Sequence, residues 1–81
     1  MSKVTPVQII EAFLNGEEHM YCDTTGLNEK ICICGNKIMY YNDVACERIE
    51  DKYHIYCSDF SIHRKEFDRL LLKMIPENKQ V

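Results

Sequence analysis

The chain has 81 residues, enough for one small domain but not for two separate cores. Hydrophobic residues make up 46% and charged residues 28%, which is close to average globular usage and argues against wholesale disorder. The formal net charge of −3 argues against a protein whose main task is to grip a nucleic-acid backbone. No run of 18 apolar residues is present, so we expect no membrane span.

Five cysteines are a high and odd number for a chain of this length. The start of the sequence leads into a helix signal and not into a secretory leader, so we expect a reducing compartment. Disulfides are not the default there. The cysteines are then buried small hydrophobes, metal ligands or reactive thiols, and their placement has to decide among these roles.

The first predicted element is a helix over residues 5–15. Thr5 stands at the N-cap, Pro6 at the first helical position and Gln8 three residues after the cap. An apolar stripe follows, and Asn15-Gly16 supplies the stop. Residues 17–30 are compatible with a short edge strand and a turn, and the sequence leaves that point open.

From Lys30 the apolar residues recur with a period of two, which is typical of strands. Turn residues at 35–36, 42–43 and 50–52 divide the stretch into an antiparallel meander over residues 30–57, with four strands or, counting the edge, five. A second helix is predicted over 61–75, packed on the sheet and followed by a loose tail. The predicted fold is therefore one α+β domain spanning residues 1–81.

Strict alternation along these strands assigns each side chain to one of two faces. The predicted core face is almost wholly apolar and consists of Ile31, Ile33, Ile38, Tyr40, Ala45, Ile49, Tyr53, Ile55 and Cys57. The opposite face is mixed and consists of Cys32, Cys34, Lys37, Met39, Tyr41, Val44, Cys46, Arg48, His54 and Tyr56. This second face either binds a partner or is covered by another part of the chain or a second copy, and both alternatives stay open.

Tyr, Met and Arg are the residue types enriched at recognition surfaces. The candidate partner-binding residues on the mixed face are Met39, Tyr41, Arg48, His54 and Tyr56. Secondary candidates on the terminal helix are His63, Arg64 and Arg69. Because Glu66 and Asp68 interleave these basic side chains, a solvated face held by ion pairs is favoured over a nucleic-acid surface.

The cysteines suggest zinc, but their spacing does not support it. Cys32 and Cys34 are separated by one residue, whereas structural zinc pairs usually have two to four residues between them. Along one strand the two are expected about 7 Å apart, and the register puts Cys46 two strands away. We predict no metal ligand and no cofactor. Since no Cys–His signature or phosphate loop is present, we also predict that the protein is not an enzyme.

Three short features follow one another along the chain: the Gly35-Asn36 hairpin, the turn before Val44-Ala45 and the aromatic-Ser step at Phe60-Ser61. In these features residues 31–67 resemble a group of small tailed-bacteriophage proteins of unknown function. That group usually continues with paired threonines and a Ser-x-His, whereas Ile62-His63-Arg64 stands here, so no role of that motif carries over. The resemblance implies a phage origin more than an activity.

These observations predict a small non-enzymatic phage-type protein that binds and inhibits or modulates a host protein or protein complex in the host cytoplasm. An inhibitor of a host defence such as a CRISPR or restriction complex is the associated expectation, by analogy with other small acidic phage proteins. We expect a monomer or homodimer. The alternative is a small nucleic-acid-binding or zinc-stabilised regulatory protein.

Overall fold

The structure is a computed structural model, and it describes residues 5–20, 30–58 and 61–81. The described residues form α1 (Pro6–Leu14), β1 (His19–Met20), β2 (Ile31–Cys34), β3 (Lys37–Tyr40), β4 (Asp43–Ile49), β5 (Lys52–Ile55), α2 (Ile62–Met74) and a 3₁₀ turn (Glu77–Lys79). The strands make one antiparallel sheet in chain order. The predicted α+β fold with two helices and a meander is confirmed. Part of the segment left open by the sequence, residues 21–29, lies outside the described residues.

The start of α1 shows why this segment is helical. The Thr5 hydroxyl accepts a hydrogen bond from the Gln8 amide at 3.2 Å, and the Gln8 side chain accepts one from the Thr5 amide at 2.9 Å. This capping box satisfies amides that have no partner inside the helix. Ile9, Ile10 and Phe13 then form the buried stripe of the helix.

Tight turns that use left-handed backbone join consecutive strands from β2 to β5. Gly35 (φ +64°) opens the turn between β2 and β3, where a side chain would be strained. Tyr41 (φ 57°) and Glu50 (φ 59°) stand at the next two turns without being glycine. A left-handed L-residue costs about 1–2 kcal/mol, so the pairing of the flanking strands must offset that cost.

A bulge in β4 breaks the alternation on which the face assignment rests. Met39 pairs with Val44, but Ile38 pairs with Cys46, which leaves Ala45 as the extra residue between them. Ala45 and Cys46 are both fully buried, so two successive side chains point to the same side. From this point to the end of the strand, each residue of β4 faces the side opposite to the predicted one.

The bulge makes three predicted face assignments wrong, and the end of β5 makes a fourth wrong. Cys46 lies in the core, and Arg48 lies on the same side with its guanidinium 5.5 Å from the centre of the Phe13 ring. Ile49 turns outward and is 42% exposed. Cys57 is exposed because β5 ends two residues earlier, so strand alternation no longer applies there.

The core fills the space between the inner face of the sheet and both helices. The Tyr40 ring lies 5.6 Å from that of Phe67 on α2, and the Phe13 ring of α1 lies 5.7 Å from that of Tyr53 on β5. Leu71 is fully buried in the same cluster. The predicted packing of the C-terminal helix on the sheet is therefore confirmed. Neither of the described helices is long and apolar enough to cross a membrane.

The C-terminal residues are held in place, so the prediction of a loose tail is wrong. The Gln80 amide group donates to the carbonyls of Leu72 at 3.0 Å and Ile75 at 2.8 Å, which caps the end of α2. The Val81 amide donates to the Tyr53 carbonyl at 3.1 Å, and Gln80 forms a parallel bridge with Tyr53. The tail thereby pairs with the outer edge of β5.

Two neighbouring leucines of α2 test the packing. Leu71→Ala removes a fully buried side chain and should lower the free energy of unfolding by about 2–4 kcal/mol. Leu72→Ala is the matched control, because this side chain is 45% exposed, and it should cost less than about 0.5 kcal/mol. Urea denaturation of both variants gives the values. Equal losses would mean that α2 does not dock as described.

Cys46 should make the protein less stable at alkaline pH. Burial raises the pKa of its thiol from 9.0 to about 12, so the folded chain keeps a proton that the unfolded chain releases above pH 9. The free energy of unfolding therefore falls as pH rises between those two values, by up to about 1.4 kcal/mol per pH unit from this group. Cys46→Ala should be less stable at neutral pH but show a shallower alkaline decline. Cys57→Ala, which changes an exposed thiol, should keep the wild-type slope.

Candidate functional site

The face of the sheet turned away from the core carries the candidate site, and we call it the outer face. Six of its exposed or half-buried members come from three adjacent strands and the residue that follows the last one: Lys37, Met39, Val44, Glu47, His54 and Tyr56. Cys32 and Cys34 of β2 extend the same face, opposite Met39 and Lys37. Strand register brings them together, because Met39 pairs with Val44 and Glu47 pairs with both Lys37 and His54. The bulge is what places Glu47 on this face.

Tyr56 is the most prominent side chain of the outer face. It is 43% exposed, and its hydroxyl donates a hydrogen bond to the Glu47 carboxylate at 3.1 Å. The His54 ring is stacked beside it, with ring centres 6.3 Å apart and planes 20° from parallel. The hydrogen bond to Glu47 raises the pKa of Tyr56 above its usual value of 10.0, so the phenol stays protonated and continues to donate.

An open groove of about 520 Å³ runs beside Tyr56. Its walls combine both signs of charge with polar and apolar groups: Lys37, Asp43, Val44, Glu47, Tyr56, Cys57, Ser58 and Arg64. Because the groove is open and its lining is about half polar, it resembles a contact surface more than the enclosed, mainly apolar pocket typical of small-molecule sites.

The buried side chain of Arg64 supports residues 56–58, the segment that follows β5. It is only 2% exposed, and its Nε donates to Asp68 at 3.0 Å while its Nη2 donates to the Tyr56 carbonyl at 2.6 Å. Asp68 also accepts from the Ser58 amide at 2.9 Å. The guanidinium lies 5.2 Å from the centre of the Tyr40 ring. The chain leaving β5 is thus fixed to α2 from below by hydrogen bonds to its backbone.

The structure brings together three of the five primary candidate residues. Met39, His54 and Tyr56 lie on the outer face as predicted. Tyr41 is exposed, but it stands beyond the end of β3 in left-handed backbone, with its ring 5.2 Å from that of Tyr40. Arg48 faces the helices, because the bulge reverses its side, and the prediction that it shares this face is wrong.

The secondary candidate residues on α2 do not form one surface. His63 and Arg69 are exposed, whereas Arg64 is buried in its ion pair with Asp68. The ion pairing predicted for this helix is therefore present between Arg64 and Asp68, but this pair is buried and not solvated. The reason is that Arg64 has backbone and aromatic partners that offset the loss of water around its charge.

Glu47 is the site residue that sequence reasoning missed. Strict alternation from Ala45 would put its carboxylate in the core, where an unpaired charge is strongly disfavoured. A charged residue at a predicted core position indicates that the in–out alternation of the strand has shifted by one residue. The bulge at Ala45, two residues earlier, causes that shift. Ser58 was missed because it contributes through its backbone amide, which sequence does not distinguish.

The described residues contain no group of three His, Cys, Asp or Glu side chains placed to hold a metal ion. The sulfurs of Cys32 and Cys34 nevertheless lie 3.8 Å apart. The expected separation of about 7 Å was wrong for the sulfur atoms, because it followed the rise of the strand and the two side chains lean toward each other. No protein-family model, curated protein or solved structure matches the chain, so function has to be inferred from these surfaces.

The buried ion pair gives a direct test of how the segment after β5 is held. Arg64→Met leaves the Asp68 carboxylate buried without its cation and should lower the free energy of unfolding by about 3–5 kcal/mol. Arg69→Met, which removes an exposed charge from the same helix, should change it by less than about 0.5 kcal/mol. Chemical denaturation measures both. Replacing Arg64 and Asp68 together by Met and Leu should recover much of the loss, and an additive loss would contradict the pairing.

Proposed function

We propose that this chain is a small non-enzymatic binding protein, of phage type, that uses the outer face to bind and inhibit or modulate a host protein. The observation that carries the proposal is that the Tyr56 ring is exposed in an open groove, although hydrogen bonds hold the residue at its hydroxyl and at its backbone. Its hydroxyl is bonded to Glu47, and its backbone carbonyl is bonded to the buried Arg64.

A held aromatic ring is well suited to recognition. Association loses the freedom of each side chain that becomes ordered at the interface, at about 0.5–1.5 kcal/mol for a flexible one. Tyr56 has already lost much of that freedom in the free protein, because Glu47 and the stacked His54 ring limit its positions. The ring therefore offers contact area at a small entropic cost, which is typical of interface hot spots.

The charges around Tyr56 favour a protein partner. Lys37 and Glu47 stand opposite each other, and Asp43 lines the same groove. A pattern with both signs at short spacing gives orientation and specificity at protein interfaces. It does not fit a phosphate backbone, which selects a surface of one sign.

The ion pair of α2 also argues against the nucleic-acid alternative. The basic cluster of the terminal helix was the feature that favoured such binding. Arg64 contributes nothing to an exposed basic patch, because it is buried against Asp68, and the chain as a whole carries a net charge of −3. Lys65 and Arg69 remain exposed, but Glu66 lies between them in sequence and is exposed as well.

The nature of the partner is proposed from the resemblance to small phage proteins. A phage protein of this size that binds without catalysing acts by occupying a surface of a host machine, and defence complexes such as CRISPR or restriction systems are the proposed targets. The site of action would be the host cytoplasm. The outer face supports the binding part of this proposal, and the phage part depends on the sequence resemblance alone.

Substitution of two side chains of similar exposure tests the binding surface. Tyr56→Ala should weaken affinity for a captured host protein by at least about 1–2 kcal/mol, because it removes the central aromatic contact. Leu72→Ala is the control, since this side chain is 45% exposed against 43% for Tyr56 but lies on α2. Capture from a bacterial host lysate with the wild type, followed by calorimetry with the purified partner, provides the measurement.

The same variants separate the alternatives for this face. Unchanged affinity in Tyr56→Ala, or an equal loss in Leu72→Ala, would contradict the proposed surface. If Tyr56→Ala instead converts a dimer into a monomer in analytical ultracentrifugation, the outer face binds a second copy of the chain and the host-partner proposal is wrong. Tyr56→Phe should keep most of the affinity if contact area dominates over the hydroxyl.

A further inference from the structure

Cys32 and Cys34 form a pair of thiols on β2, on the outer face beside the groove, where Cys32 pairs with Met39 and Cys34 with Lys37. Both project to the same side because they are two residues apart on one strand. Their sulfurs lie 3.8 Å apart. Cys34 is exposed and Cys32 is half-buried, so both are within reach of solvent ions.

The sulfur separation fits metal chelation better than a disulfide. Two thiolates on a tetrahedral zinc ion, each at about 2.3 Å, are separated by about 3.8 Å, so the observed pair needs no rearrangement. A disulfide requires the sulfurs to approach to about 2.05 Å, with α-carbons at most about 6.8 Å apart. Two residues of strand rise span about 6.6–6.8 Å, which is at the upper end of that range, and closing the sulfurs from 3.8 Å to about 2.05 Å would require both side chains to move.

We propose that Cys32 and Cys34 form an open two-thiolate site for a soft d¹⁰ divalent cation such as Zn²⁺ or Cd²⁺. This site goes beyond the proposed function, because neither cysteine lines the groove, although Cys34 pairs across the strands with Lys37, which does. It also revises the sequence-based expectation of no metal ligand, which rested on a separation of about 7 Å.

The surroundings leave room for the ion and its remaining ligands. Cys32 lines a hollow of about 260 Å³ together with Lys30, Tyr41 and Asn42. The described residues provide no third His, Cys, Asp or Glu to complete the set. On binding, two metal–sulfur bonds replace two metal–water bonds, and each thiol releases its proton to solvent. The resulting unit of one divalent cation and two thiolates is neutral, so the Lys30 ammonium does not repel it.

Cadmium is the probe for this site. The reduced full-length chain is titrated with Cd²⁺, and the thiolate-to-cadmium charge-transfer absorption in the ultraviolet is followed. We expect saturation at one ion per chain. Cys32→Ser and Cys34→Ser should each lose this absorption at the concentrations that saturate the wild type. Cys57→Ser is the matched control, because it removes an exposed thiol that is not part of the pair, and it should titrate like the wild type.

The chemical shift of bound ¹¹³Cd gives a second readout, because it moves downfield with each sulfur ligand. A shift typical of two sulfurs in the wild type supports the proposal. Absence of binding by the wild type, absorption retained in both serine variants, or loss in Cys57→Ser would each overturn it. Circular dichroism verifies folding of the variants, and the exposed position of Cys34 makes Cys34→Ser decisive if Cys32→Ser does not fold.

Discussion

The buried pair of Arg64 and Asp68 is the interaction on which the arrangement of this small protein depends. Removing two charges from water is costly, and the cost is offset only when every polar group finds a partner. Here Arg64 also donates to the Tyr56 carbonyl, and Asp68 accepts from the Ser58 amide. The pair therefore does more than link two turns of α2. It fastens the chain that leaves β5 to the helix that covers the core.

The same segment connects the interior to the proposed binding surface. At Tyr56 the carbonyl points toward the buried guanidinium while the ring lies on the outer face. Glu47 holds the hydroxyl from the neighbouring strand. A change in the ion pair would therefore move the aromatic ring as well as loosen α2. Stability and the proposed recognition would thus be coupled through a single residue, which is the arrangement expected of a pre-organised contact.

The bulge in β4 determines what the outer face contains. Without it, strict alternation would leave Glu47 on the core side and Arg48 on the surface. With Ala45 as the extra residue, Cys46 fills the core and Glu47 reaches Tyr56. One inserted residue thus exchanges the two faces along the rest of the strand. The outer face gains an acidic anchor for its aromatic ring, and Arg48 packs over Phe13.

The sequence by itself determined the elements and their order, because capping, apolar period and turn chemistry are local. Thr5, Pro6 and Gln8 specify the start of α1, and the Gly35-Asn36 loop specifies the first hairpin of the meander. It also selected Met39, His54 and Tyr56, which lie before the bulge or on the next strand. Only the tertiary structure decided the phase of β4, the burial of Arg64, the fixed tail and the approach of the two thiols. Each of these four features depends either on partners distant in the chain or on side-chain rotamers. A local sequence pattern encodes neither of these two factors.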